Sequence, residues 1–325
     1  MAEKKLITVF GATGLQGDSV VETFLNDPKL REEWAVRGVT RDVNKASAKE
    51  LAKRGADVVS LTTWRQGDMN DTESLVKAMK GSHTVFANTN YWEACDKAGE
   101  VQQGKNLADA AKEAGVQHYI WSTLENVNKQ TNGRLPDVYH FDSKAEVDEH
   151  VKSLGIPATL FLAGFYMSNF FGVDQVFRPV PPDNTWTMGL PMAPSVELPL
   201  FHTDGADKYI KAIVNNRHKL LGQKFLGATN YMTPQGMLDG FKTAFPKAGA
   251  TARYVEMAKE ECMDIYRNKG APEYVALEVY EMFRFYEEAG YYGGASLGGT
   301  HALVEDPLTT WDDYLRQEPA CAGLE

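Results

Sequence analysis

The chain has 325 residues, long enough for one large domain or two smaller ones, and its hydrophobic and charged fractions of 43% and 24% are those of an ordinary globular protein. A net charge of −10 and the absence of any Lys/Arg-rich run argue against a nucleic-acid surface, and no apolar run reaches the ~18 residues of a membrane span. The three cysteines, Cys95, Cys262 and Cys321, are far apart and in no metal-ligand spacing, and no signal-peptide segment opens the chain; a reducing, cytoplasmic setting with access to the nucleus is expected.

In chain order the first half alternates strands and helices. "LITVF" (6–10) reads as a strand buried on both faces, followed by an amphipathic helix over 15–25 that "NDP" stops. Strands are expected at 34–41, 56–61, 83–90, 118–123 and 157–164. Helices are expected at 45–55, 71–81, 100–115 and 144–154, with Asp71 capping one and Gly55 ending another. Such alternation implies a parallel sheet with right-handed crossovers, a Rossmann-type doubly wound α/β fold. We assign residues 1–163 to a dinucleotide-binding Rossmann domain and 164–325 to a smaller, interwoven C-terminal α+β domain. In the latter, six prolines over 177–201 mark a loop-rich region, helical patterns return at 204–216, 234–245, 256–268 and 272–289, and 290–301 is a glycine-rich loop.

The stretch "VFGATGLQG" (9–17) sets Gly11, Gly14 and Gly17 three apart between the first strand and the first helix. Gly11 suits the tight turn, Gly14 lets backbone approach a pyrophosphate, and Gly17 lets helix pack closely on strand. The helix N-terminus then offers free N–H groups and a positive dipole end. The second strand ends "VTRDVNK". Arg41 stands where the 2′-phosphate of NADP(H) would lie, with Lys45 one turn later, while Asp42 is one residue late for a ribose-binding carboxylate; NADP(H) is the expected cofactor.

With "VFGATGLQG" and "VTRD", the segments "QGDMND" (66–71), "TNYWEAC" (89–95), "STLENV" (122–127), "HFDSKAEVDEHV" (140–151), "AGFYMSNFF" (163–171) and "MFRFY" (282–286) resemble the NmrA-like family, an atypical branch of the short-chain dehydrogenase/reductase superfamily. The likeness covers nearly the whole chain and is strongest, in "TNYWE" and "HFDSK", to redox-sensor members of the family. "SLTTWR" (60–65) departs from the pattern as an insertion. The resemblance implies that Gly11, Thr13, Gly14, Leu15, Gln16 and Gly17 surround the pyrophosphate and that Arg41 meets the 2′-phosphate. It further implies that Asp68 and Met69 border the adenine, that Asn88, Thr89 and Tyr91 line the ribose and nicotinamide, and that Lys144 and Asn169 reach the nicotinamide ribose and its surroundings.

Typical members of the superfamily place a Ser after the fifth strand and a Tyr-x-x-x-Lys on the next helix. Here Ser122 and Lys144 are present, but His140 stands in place of the Tyr and Tyr139 is one position off, rotated by about 100° on a helix. His140 serves either as a general acid or as a structural histidine near a helix start; loss of a general acid typically costs about 10²–10⁴-fold in rate. Glu125 either lines the same cleft or has a surface or capping role. The aromatics at 91–92, 165–166 and 284–292 either roof an apolar cleft or form core. Three functions follow. One is a sensor of NADP(H) state that signals to a regulatory protein partner. Another is a reductase of a small carbonyl, imine or conjugated double bond. The third is a condensation enzyme of specialised metabolism with a structural cofactor.

Overall fold

The computed structural model describes residues 3–60, 69–172 and 176–325. Strands β1 (Lys5–Phe10), β2 (Trp34–Thr40), β3 (Asp57–Ser60), β4 (Thr84–Ala87), β5 (His118–Thr123) and β6 (Ala158–Ala163) alternate with helices α1 (Leu15–Asn26), α2 (Ala46–Lys53), α3 (Thr72–Met79), α4 (Lys97–Glu113) and α5 (Tyr139–Leu154). Every residue of β4, β5 and β6 is buried, as strands covered by helices on both faces require.

The C-terminal half contributes β7 (Phe165–Tyr166), β8 (Phe177–Val180), β9 (Thr185–Leu190), β10 (Leu198–Phe201), α6 (Ala206–Asn215), β11 (Lys224–Gly227), β12 (Asn230–Met232), α7 (Pro234–Ala244), β13 (Arg253–Glu256), α8 (Lys259–Arg267), α9 (Glu273–Ala289) and α10 (Trp311–Gln317). The main sheet runs in the order β3-β2-β1-β4-β5-β6-β11, all pairs parallel. Its seventh strand comes from the second half of the chain. Strand order reverses between β1 and β4, so the crevice outside their carboxyl ends is where an open α/β sheet binds ligands.

The first-half elements stand where the sequence places them, with two early helix starts. α4 begins at Lys97, and α5 begins at Tyr139 rather than 144. The α5 start has a tertiary cause: its cap residue Val138 supplies no side-chain bond, and the N–H of His140 instead donates to Glu278, far away in sequence. Asp71 caps α3 as expected, accepting from the Ser74 N–H. The insertion at 60–65 falls, beyond Ser60, outside the described residues.

The proline-rich stretch 177–201 corrects a sequence expectation: it carries β8, β9 and β10, not loop alone. Pro179 is tolerated because β8 is the edge of the β13-β9-β8 sheet. Phe177, Trp186, Met188 and Leu190 from these strands are buried, and the Phe177 ring packs on Phe241 of α7 at 4.6 Å.

One sheet face is covered by α4 and α5, which come so close that a Cβ on Gly104 would lie 2.5 Å from Val147. The other is covered by α1 and α6 through Val20, Val21, Phe24, Tyr209 and Ile210, all essentially inaccessible. Burying each such large apolar side chain contributes about 1.5–3 kcal/mol.

Candidate functional site

The loop after β1 is built for close backbone approach. Gly11 has φ +69°, a conformation that favours glycine, and its carbonyl accepts from the Gly14 N–H at 2.8 Å. A Cβ on Gly17 would sit 2.2 Å from the Gly11 oxygen, so only glycine lets the first turn of α1 lie on the loop. Gly14 is the extended N-cap of α1 and has no side chain to bond the first-turn amides. Thr13, Gly14 and Leu15 are exposed, Leu15 at 60%. The positive end of a twelve-residue helix therefore faces the crevice with its amides open, which fits an anionic pyrophosphate.

At the end of β2, Arg41 is exposed and its guanidinium pairs with the Glu93 carboxylate. Asp42 turns into its own loop, accepting from the Asn44 N–H at 2.8 Å, and Lys45 is exposed at the start of α2. The two cations Arg41 and Lys45 beside the end of β2 suit a 2′-phosphate, and the Glu93 carboxylate reaches Arg41 from another loop. Asp68 lies outside the described residues. Met69 is half-buried, and its carbonyl accepts from Asn106 Nδ2 at 3.0 Å.

Three hydroxyl and amide groups meet at the carboxyl ends of β1, β5 and β6. Ser122 Oγ donates to Gln16 Oε1 at 3.0 Å, and Gln16 Nε2 donates to the Tyr166 hydroxyl. Gln16 and Ser122 are buried; Tyr166 is half-buried. Burial pushes the Tyr166 hydroxyl above the ordinary phenol range, and the Gln16 amide pulls partly back. Asn169 is half-buried on the single turn Met167–Phe170 that follows.

Lys144 lies against the loop after β4. Its Nζ donates to Thr89 O (2.9 Å), Thr89 Oγ1 (3.0 Å) and Asn88 Oδ1 (3.3 Å), and forms an ion pair with Glu100 Oε1 at 3.1 Å. Glu100 is 4% exposed and also accepts from Thr89 Oγ1 and Ser143 Oγ. Burial alone would raise this carboxyl, but the Lys144 charge and the two hydroxyls hold it below the ordinary carboxylate value.

His140 does not face an open cleft. It is 6% exposed, with Nδ1 2.6 Å from Glu278 Oε1 and its ring 4.7 Å from that of Trp92. Glu278, on α9, is inaccessible and also accepts from the Tyr91 hydroxyl at 2.6 Å. Tyr91, at 2% exposure, therefore points its hydroxyl into the C-terminal half. The Tyr139 hydroxyl bonds Asp137, away from Lys144, as its helical phase requires. Glu125 holds Lys224 of β11 at 2.7 Å, a structural role. Tyr286, Tyr291 and Tyr292 are core: the last two donate to the Ala163 and Leu162 carbonyls of β6. Glu93, Glu100 and Glu278 were missed by sequence reasoning, since acidic residues on helices and turns read as solvated. In the sequence Tyr166 stands out only as one of several aromatics.

Among the described residues no cluster of metal-ligating side chains occurs, and no helix is long and apolar enough to cross a membrane. The model of the NmrA-like family matches residues 3–315. An NmrA-like family domain-containing protein of Dictyostelium discoideum is 28% identical over 323 residues, spanning 96% of this chain and 97% of that one. The NmrA-like family domain-containing oxidoreductase ptmS of Penicillium ochrochloron is 33% identical over 181 residues, 54% of this chain and 51% of its own length; the match thus spans about half of that relative. Among solved structures, the negative transcriptional regulator NmrA, crystallised in complex with NADP and also with NAD, shares the fold at TM-score 0.73 and 22% identity, over 99% of this chain and 95% of that one.

Proposed function

The chain belongs to the NmrA-like family, and from that premise we propose that it binds NADP(H) as a signal, acting as a redox sensor for a regulatory protein partner in a reducing compartment such as the cytoplasm. The glycine loop and α1 amides hold the pyrophosphate, Arg41 and Lys45 the 2′-phosphate, and Met69 borders the adenine. Asn88, Thr89, Ser122, Lys144 and Asn169 line the nicotinamide end. When bound, the dinucleotide supplies a nicotinamide that is either oxidised or reduced. One observation carries the sensor reading. His140, at the position of the superfamily's proton donor, is locked on buried Glu278 and shares it with Tyr91, so the loop after β4 is tied to α9 instead of presenting an acid. The test is titration with NADPH and NADP+ together with nicotinamide absorbance over a panel of carbonyls and imines. The expected result is binding without turnover, with hydrogen exchange in α9 that differs between the two redox states; sustained oxidation of NADPH by any small substrate overturns it.

A reductase is the second reading, favoured by the Ser122–Gln16–Tyr166 string and by the oxidoreductase named among the relatives. Because Tyr166 accepts from Gln16, its own proton is free to be given to a carbonyl oxygen, and the amide stabilises the phenolate left behind. Under this reading Tyr166→Phe lowers turnover about 10²–10⁴-fold at unchanged cofactor affinity.

A further inference from the structure

Glu93 belongs to the turn Tyr91–Glu93, and that turn is anchored away from the cofactor crevice. The Tyr91 hydroxyl is held by Glu278, the Trp92 ring packs on His140, and the next residues are fixed by Cys95 N–H to Tyr91 O at 2.8 Å and by Tyr274 of α9, which donates to the Cys95 carbonyl at 3.3 Å. From this anchored turn the Glu93 carboxylate reaches across to Arg41, the cation at the end of β2. Both side chains are 53% exposed, so the pair is weak and exchangeable, but the backbone that carries Glu93 stays in place when Arg41 changes partner.

A 2′-phosphate and a carboxylate cannot share one guanidinium without repelling each other. A dinucleotide with a free 2′-hydroxyl raises no such conflict, since the hydroxyl donates to a carboxylate, the usual role of an acidic residue beside the ribose. We propose that Glu93 sets the chain's preference between NADP(H) and NAD(H): it competes with the 2′-phosphate for Arg41 and accepts the 2′-hydroxyl of the unphosphorylated cofactor. Arg41 alone favours NADP(H), and the Arg41–Glu93 pair narrows the margin so that both cofactors are admitted. This rests on the proposed dinucleotide site beside β2.

Calorimetric titration of the full chain with NADP+ and NAD+ tests it, on the parent protein, Glu93→Gln and Arg41→Ala, with circular dichroism as the folding control. Glu93→Gln tightens NADP+ about 2- to 5-fold, weakens NAD+ about 2-fold, and the NADP+ gain shrinks as salt rises. Arg41→Ala weakens NADP+ about ten- to a hundred-fold and spares NAD+. An unchanged NADP+/NAD+ ratio in Glu93→Gln, or weaker NADP+ binding, overturns the role of Glu93 even where Arg41→Ala behaves as stated. No loss in Arg41→Ala overturns both that role and the 2′-phosphate site beneath it.

Discussion

Glu278 holds His140 by two atoms at once: the backbone N–H donates to Oε1 at 2.7 Å, and the ring Nδ1 lies 2.6 Å from the same oxygen. The second oxygen takes the Tyr91 hydroxyl at 2.6 Å, so one carboxylate from α9 fastens the start of α5 and the loop after β4 together. Glu278→Ala leaves three buried donors without an acceptor, and should destabilise the fold by about 3–5 kcal/mol, against about 1–2 kcal/mol for Glu278→Gln, which keeps an acceptor in place. Urea unfolding of the two variants checks the order. His140→Ala should lower stability and spare cofactor affinity; a selective loss of turnover there would instead make His140 an acid.

The two glycines at the head of α1 should separate in their effects. Gly17→Ala drives a Cβ into the Gly11 carbonyl at 2.2 Å, so the loop must move, with a cost of about 1–3 kcal/mol and loss of dinucleotide binding. Gly14 meets that oxygen only at 3.3 Å and has φ −96°, which any residue adopts. Gly14→Val should therefore fold and fail to bind, because its branched side chain fills the phosphate's space. Thermal melts with cofactor titrations decide; a folded Gly14→Val that binds NADP(H) normally moves the phosphate site elsewhere.

Lys144 supports a buried carboxylate whether or not it touches a cofactor. Glu100, held below its ordinary value of 4.5, contributes stability that is complete above that pH and is lost as pH falls through the lower folded value. Lys144→Met removes the charge that opposes burial, so the Glu100 carboxyl rises and the fold weakens by about 3–5 kcal/mol at neutral pH. With the sign reversed, the variant's deficit should shrink as pH falls from 8 toward 5. A deficit independent of pH would mean that the ion pair is not its source.

Asp148, on α5, is 5% exposed, and its Oδ1 has no hydrogen-bond partner among the described residues. Burial pushes its carboxyl up to about 7, against the pull of the Thr123 hydroxyl, Lys224 and Lys152. Between the ordinary value of 3.8 and about 7 the folded state keeps a proton that the unfolded chain has released, so this group's contribution declines as pH rises through that window. Asp148→Asn should be more stable than the parent at pH 8.5 by about 1–3 kcal/mol, and the advantage should fade below neutrality. Denaturant midpoints across that range would contradict it if the two curves ran parallel.

The periodic elements of the first half were legible because each is encoded locally. The apolar run of β1, the Asp71 cap and the triplet Gly11, Gly14 and Gly17 all act within a few residues. The 100° phase between Tyr139 and His140 also sufficed to turn Tyr139 away from Lys144. What escaped depends on distance along the chain. Nothing near Val138 announces that Glu278 will cap α5, and nothing near Arg41 announces Glu93. The strands at 177–201 were hidden for a different reason: prolines read locally as loop, yet Pro179 stands on an edge strand, a property of the sheet, and Pro199 lies within β10 between β12 and β7. Likewise, whether Tyr291 and Tyr292 roof a cleft or fill a core depends on the β6 carbonyls that take their hydroxyls.

β11 binds β6 along Leu160–Ala163, with Lys224 of that strand pinned by Glu125. A chain cut after β6 would leave that apolar rim with unpaired amides and carbonyls, an invitation to stick to its copies. Tyr291 and Tyr292, which hang from the same strand's carbonyls, would leave with the removed part. Deletion, fusion or shuffling at that seam should therefore yield aggregates, whereas a break in the exposed segment around Asn132 and Gly133 spares every sheet pairing among the described residues.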